Sequence, residues 1–185
     1  MRQIVFFLEE PSAKQMLKGV LPKILPETIV SRFVVFEGKQ DLEKRLPMRL
    51  REWQHPDALF VVMRDQDSGD CTAIKRGLVK KCTDSGKPYT LVRIACRELE
   101  SFYLGDLKAV SQAIGPASIE KHQNKAKFRN PDTLASPSQE LKKLAPSYQK
   151  VAGSRVIGPM LDLDNNKSTS FHALINGVRR LIGEA

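Results

Sequence analysis

The sequence has little that would mark a secreted or membrane-embedded protein. Its 185 residues include only three cysteines, Cys71, Cys82 and Cys96. The number is odd and no CxxC spacing occurs, so they read as buried thiols of a cytoplasmic protein, not as a disulfide framework or a zinc site. No apolar run approaches the ~18 residues that a membrane span needs, so no membrane partner is expected. The N-terminal run Ile4 to Leu8 ends in Glu9-Glu10, too soon for a secretory signal. The three histidines, His55, His122 and His172, lie far apart and lack metal-ligand spacing. No GxSxG, P-loop or GxGxxG is present, so those routes to hydrolysis and nucleotide binding find no support. Internal repeats and low-complexity segments are missing too.

What is there is an ordinary globular composition with a basic excess. Hydrophobic residues make up 41% and charged residues 28%, which excludes global disorder. The length suits one domain with at most a small appended part, and it buries enough surface to need no staple. Lys plus Arg number 30 against 21 Asp plus Glu, a formal net charge of +9. That balance suits a polyanionic partner, most often nucleic acid.

The first half alternates between strand and helix patterns. Ile4 to Leu8, Ile29 to Phe36, Leu59 to Met63 and Tyr89 to Cys96 read as strands. Between them, Ala13 to Ile24, Leu42 to Trp53 and Ile74 to Cys82 carry apolar residues at helical spacing. Pro47 is expected to kink or split the second of these helices. The alternation predicts an α/β fold: a mostly parallel sheet of about four strands flanked by helices. From Arg97 to about Leu107 the spacing is helical. Residues 108–160 are polar and interrupted by Pro116, Pro131, Pro137 and Pro146, so short helices and loops are expected. A last helix is expected over Ser170 to Ile182. The organisation predicted is a core over 1–107 and a helical, loop-rich extension over 108–185, packed on that core.

Open parallel sheets place their active sites at the carboxyl ends of the strands. Two of these ends are acidic. The first strand runs into Glu9-Glu10, and the third into Asp65-Gln66-Asp67 with Asp70 close behind. In an extended chain, residues two apart face the same side, so Asp65 and Asp67 are expected to face one site. Carboxylates held together repel unless a cation or a proton lies between them. Mg²⁺ or Mn²⁺ with oxygen ligands fits, and such an ion suits phosphodiester chemistry. The same pattern also serves as a helix cap or a solvated turn. Asp162-Leu163-Asp164 repeats it before a helix, where capping is expected. On the Arg97–Leu107 helix, Glu100 and Asp106 fall on the apolar arc and Glu98 opposite it. A buried carboxylate must be paired or metal-bound, so Glu100 and Asp106 are candidates and Glu98 is expected in solvent. Lys121, Lys125, Lys127 and Arg129 form a basic run around Phe128 that suits a phosphate backbone, or equally a solvated loop.

Phe6-Phe7-Leu8-Glu9, followed by helix–strand–helix and then Val61-Val62-Met63-Arg64-Asp65-Gln66-Asp67, resembles the Toprim domain of topoisomerases, primases and certain nucleases. Glu9 stands at the Toprim glutamate, and Asp65 and Asp67 at its DxD. Glu10 departs from the glycine that usually follows that glutamate. Together with Arg97-Glu98-Leu99-Glu100-Ser101-Phe102-Tyr103-Leu104-Gly105-Asp106 and the late Ser170-Phe171, the chain is similar to small stand-alone Toprim-like proteins of bacteria. Such proteins are often encoded beside ABC-type ATPases in presumed anti-phage systems. The resemblance implies a Toprim-like, Rossmann-like fold and a metal-dependent endonuclease. Glu9, Asp65 and Asp67 would hold Mg²⁺ or Mn²⁺. Glu100 would be a further catalytic carboxylate, and Glu9 a candidate general acid or base. Lys121, Lys125, Lys127 and Arg129 would hold DNA or RNA. Three other readings stand beside it: a non-catalytic subunit docking on an ATPase, a phosphatase with an aspartate nucleophile, and a plain DNA-binding module.

Overall fold

Successive side chains of a strand point to opposite faces, so a strand that is apolar throughout needs cover on both. The first strand, β1 (Arg2–Leu8), is of this kind, and Ile4 to Leu8 are all fully buried. The structure is a computed structural model and describes residues 1–183. β1 pairs in parallel with β2 (Ile29–Val35) and with β3 (Ala58–Asp65), and β3 pairs in parallel with β4 (Leu91–Ala95). The order is β2-β1-β3-β4, an all-parallel four-stranded sheet. Leu8 pairs with Val35 on one side and Met63 on the other, and Asp65 pairs with Ala95. This register brings Glu9 and Asp65 to the same edge of the sheet.

Each connection within the sheet carries a helix: α1 (Pro11–Val20), α2 (Lys39–Glu52) and α3 (Cys71–Asp84). One face of the sheet, with Val5, Phe7, Phe60, Val62, Val92 and Ile94, packs on α2 and α3 through Leu42, Leu46, Leu50, Leu78 and Cys82. The spacing Leu42, Leu46, Leu50 is a single helical stripe, and α2 runs unbroken through Pro47. The expected split does not occur, because that buried stripe anchors both sides of the proline. On the opposite face, Ile4, Phe6, Leu8, Val61, Met63 and Ala95 meet α1 through Met16, Leu17 and Val20. α1 ends earlier than its apolar spacing predicts, and Leu21–Lys23, with Pro22 inside it, continues as a 3₁₀ turn.

The second half is helical and covers this same face. It contains α4 (Glu100–Leu104), α5 (Leu107–Ile114), α6 (Pro137–Leu144), α7 (Lys150–Ile157) and α8 (Thr169–Ile182), with short 3₁₀ turns between α5 and α6. α7 packs on α1, and α8 packs on β4. Phe102, Leu107, Tyr148, Ile157 and Phe171 belong to the same buried cluster as β1. The single helix expected over 97–107 is two. The chain breaks at Gly105 because the Asp106 carboxylate accepts a hydrogen bond from the Ala109 amide and starts α5. No helix among the described residues is long and apolar enough to cross a membrane.

Candidate active site at the carboxyl edge of the sheet

β1 and β3 end side by side, and the residues just past their ends carry the acids. Glu9 follows Leu8 directly and is 8% exposed. Its Oε2 accepts a hydrogen bond from the Asp65 amide at 3.0 Å, so the two strand ends are tied through this carboxylate. Burial raises the Glu9 carboxyl above its ordinary range against that hydrogen bond and the nearby Arg64 charge. Asp67 and Glu10 push it the same way as burial. The Asp65 carboxyl is raised well above its ordinary range, first by burial, then by the charges of Glu100 and Glu9. The register brings Glu9 beside Asp65, and the start of α4 adds Glu100, so that both act on Asp65, with Glu10 at the margin.

Asp67 is placed differently. β3 ends at Asp65, and Asp67 takes a left-handed backbone with φ 53°. The extended geometry expected of the DxD stops at its first residue. Asp67 Oδ2 instead meets Lys39 Nζ at 2.7 Å, at the start of α2, and Arg64 Nη2 at 3.9 Å. Asp67 still acts electrostatically on Glu9. Glu9 therefore lies between two acids that face different neighbours.

The turn is held by a residue that the sequence pattern passed over. Gln66, the middle of the DxD, accepts from the Arg97 amide and donates to the Gly69 carbonyl. The Asp67 amide donates to the Arg97 carbonyl at 2.7 Å. Arg97, with φ 63°, is the other non-glycine residue with positive φ among those described. Two strained residues strapped to each other at the site are the pattern expected where geometry serves function.

Arg64 is the inner cation. It is 5% exposed and donates to the Asp65 carbonyl and to Glu43 Oε1 at 2.5 Å. Its Nε stands 3.8 Å from Glu9 Oε2. A buried guanidinium spread over several acceptors satisfies its donors at the cost of desolvation. Sequence alone offered no signal for it, because an inward arginine on a buried strand looks like a surface one.

Glu100 opens α4 and is 1% exposed. Its Oε1 accepts from the Tyr148 hydroxyl at 2.9 Å, while Oε2 is buried without a hydrogen-bond partner. Burial raises its carboxyl, against the lowering effects of Lys150 and Tyr148. Helical spacing did place Glu100 on the buried arc. Asp106 is structural: its second oxygen accepts from the Asp162 amide at 2.7 Å. Glu98 is not simply solvated as expected, because its carboxylate accepts from the Ser138 amide at the start of α6. Asp162 accepts from the Asp164 and Asn165 amides, forming a turn, while Ser168 caps α8. The basic run stands on exposed 3₁₀ turns held by Gln123 and by buried Phe128. Lys121, Lys125, Lys127 and Arg129 are all exposed, and Lys127 pairs with Glu140 at 2.5 Å.

A raised buried carboxyl makes a stability prediction. The folded chain holds the Glu100 proton more tightly than the unfolded chain does, so ionisation opposes folding. That penalty is absent below the ordinary value of 4.5 and complete once pH exceeds the raised folded value. Glu100→Gln keeps an acceptor for Tyr148 and removes the charge. Its Tm is expected to exceed the wild type at pH 8, by roughly 2–4 °C per kcal/mol relieved. The gap should close as pH falls toward 4.5 in thermal melts, and a gap that widens there would contradict the burial argument.

No group of three or more His, Cys, Asp or Glu side chains forms a ready cage among the described residues. Mg²⁺ needs less, since it keeps several waters and takes one or two carboxylates plus phosphate. A crevice of about 10 Å³ lies between Glu9, Glu10, Ser12, Arg64 and Asp65, about the room of one water-sized particle. The charges of Glu9 and Glu100 acting on buried Asp65 are what a cation would relieve. The donor set therefore fits a hard divalent ion at Glu9 and Asp65. The wider grooves lie elsewhere, one of about 550 Å³ between α1 and β2. A polymer cleaved at its backbone needs an open rim rather than a deep cavity.

No curated protein and no solved structure matches the chain. Residues 8–179 match a family described as a domain of unknown function, DUF4276. That span contains Glu9, Asp65, Asp67, Glu100 and Tyr148, and it takes in most of the chain. The protein therefore belongs to the DUF4276 family.

Proposed function

We propose that this protein is a Toprim-like, metal-dependent endonuclease that hydrolyses a phosphodiester of DNA or RNA. The observation that carries the reading is the crowding of Glu9, Asp65 and Glu100 at the carboxyl ends of β1 and β3, each with its carboxyl raised by burial. Buried like charges that act on one another favour a cation or a proton between them. Glu9 and Asp65 would hold Mg²⁺ or Mn²⁺, with Asp67 and Glu100 as further carboxylates. The ion would supply Lewis acidity and neutralise charge on the phosphate. Glu9 Oε2 is held by the Asp65 amide, which orients the carboxylate and leaves Oε1 to exchange a proton. A carboxyl raised toward neutrality suits general acid or base work. Asp67 and Arg64 fix the turn that carries the site. The reading extends to a cytoplasmic protein acting with an ABC-type ATPase in anti-phage defence, as the Toprim resemblance implies.

A second reading has its own observation. Lys39, Arg64 and Lys150 already neutralise part of the cluster, as a purely structural acidic cluster would require. The chain would then be a non-catalytic subunit docking on an ATPase.

Calorimetry with Mn²⁺ separates the two. The nuclease reading expects binding at neutral pH, and because the raised carboxyls must ionise to bind, proton release where they are still protonated. Release should persist above pH 4.5, the ordinary glutamate value, and affinity should fall as pH is lowered. A wild-type chain that binds no Mn²⁺, with or without an oligonucleotide, overturns the reading in favour of the docking subunit.

A further inference from the structure

Two lysines from opposite ends of the chain reach the acidic cluster from two sides. Lys39 lies in the first turn of α2, and its ammonium contacts Asp67 Oδ2 at 2.7 Å. Lys150 lies in the first turn of α7, and its ammonium contacts Glu10 Oε2 at 3.4 Å. Lys150 also feels the charges of Glu100 and Asp65. Their side chains remain 48% and 46% exposed. Arg64 is different, being buried with every contact internal.

Both lysines are therefore tethered and solvent-facing. Each also stands at a helix N-terminus with no side-chain cap, where free amides and the helix dipole favour an anion. Gly38, just before Lys39, donates its amide to the Glu9 carbonyl at 3.1 Å. The start of α2 is thus fixed against the strand end that carries the central acid. The start of α7 is fixed by the packing of α7 on α1, the helix that begins two residues after Glu9. The acids alone would repel a phosphate. The flanking ammonium groups offset part of that charge at the solvent-facing rim, and a divalent ion between Glu9 and Asp65 would offset more.

The basic run over 121–129 is the rival grip. Lys127 pairs with Glu140, away from the site acids, and Lys125 Nζ lies 3.1 Å from His122 Nδ1. Among the described residues, none of its four cations pairs with an acid of the site, whereas Lys39 pairs with Asp67 and Lys150 with Glu10.

We propose that Lys39 and Lys150 are the phosphate-binding residues of the site, holding the nucleic-acid backbone between the starts of α2 and α7. The proposal rests on the nuclease reading and adds the path of the substrate to it. The test is binding rather than cleavage. A fluorescent duplex is titrated with the full chain by anisotropy, in Ca²⁺, over a series of salt concentrations.

Each phosphate contact contributes about 0.9 to the slope of log K against log salt. Lys39→Ala with Lys150→Ala is expected to weaken binding at least tenfold at low salt and to flatten the slope by about two contacts' worth. Lys39→Arg with Lys150→Arg should restore most of both. Thermal melts check folding, which two exposed substitutions should not lower. If the Lys39/Lys150 variant matches the wild type, the proposal is overturned while the nuclease reading stands. The same follows if the loss falls instead on Lys121→Ala with Lys125→Ala. A wild-type chain that binds neither duplex nor single strand overturns the proposal together with the nuclease reading.

Discussion

On the nuclease reading, replacing Asp65 and Asp67 together by alanine is expected to abolish Mn²⁺ binding and phosphodiester cleavage while the chain stays folded. The Asp65 carboxyl is raised well above its ordinary range, by burial first and then by Glu100 and Glu9. Its loss leaves Glu9 without a partner ligand at the crevice. An ion at a hydrolytic centre is worth several kcal/mol in the transition state, so the rate should fall on the order of 10³-fold or more. The fold should survive because the Asp65 charge opposes folding. Arg64 loses Asp67 but keeps Glu43 and the Asp65 carbonyl. Asp67→Asn is the milder companion, since asparagine tolerates the left-handed backbone at φ 53° better than alanine. Calorimetry, an oligonucleotide gel and a thermal melt read the three consequences separately. Cleavage at the wild-type rate by the double variant would remove these carboxylates from the reaction.

The second large effect concerns the contact that joins the two halves of the chain. A Cβ placed on Gly19 in α1 would stand 2.4 Å from both the Cδ and the backbone nitrogen of Pro159. A Cβ on Gly158 would stand 2.6 Å from the Met16 carbonyl oxygen. The obstacles are backbone and a proline ring rather than the tip of a flexible side chain, so a helix must move. Gly19→Val is expected to cost about 3 kcal/mol, the upper end of ordinary overpacking. At 2–4 °C per kcal/mol for a chain of this size, that is a Tm drop of roughly 6–12 °C. A melt within ~2 °C of wild type would show that α1 and the turn after α7 slide apart freely. Because α1 starts beside Glu9 and α7 starts at Lys150, the same variant should also weaken nucleic-acid binding.

How much of this was readable in the sequence depends on the range of the interaction involved. Buried strands announce themselves by continuous apolar runs, and Ile4 to Leu8 needed no tertiary information. The amphipathic stripe Leu42, Leu46, Leu50 was equally local. Pro47 misled because a proline's local cost is fixed, whereas the burial that overrides it comes from strands elsewhere in the chain. The DxD misled in part for a similar reason. Its extended spacing assumes that the strand continues, and the turn at Asp67 is set by hydrogen bonds to Gln66 and Arg97 across the β3–β4 boundary.

The amino-acid sequence by itself determined the α/β alternation, the strand ends that carry Glu9 and Asp65, and the buried placement of Glu100. These follow from periodicity, which is a property of neighbouring residues. Only the tertiary structure decided that Asp67 turns toward Lys39, that Arg64 is buried among the acids, and that Tyr148 and Lys150 join the site from α7 and the residues just before it. Those outcomes depend on which distant elements pack together, because charge and hydrogen bonding act over a few ångströms of space and are indifferent to distance along the chain. Lys150 lies 140 residues from Glu10 in sequence and within 3.4 Å of it in the fold.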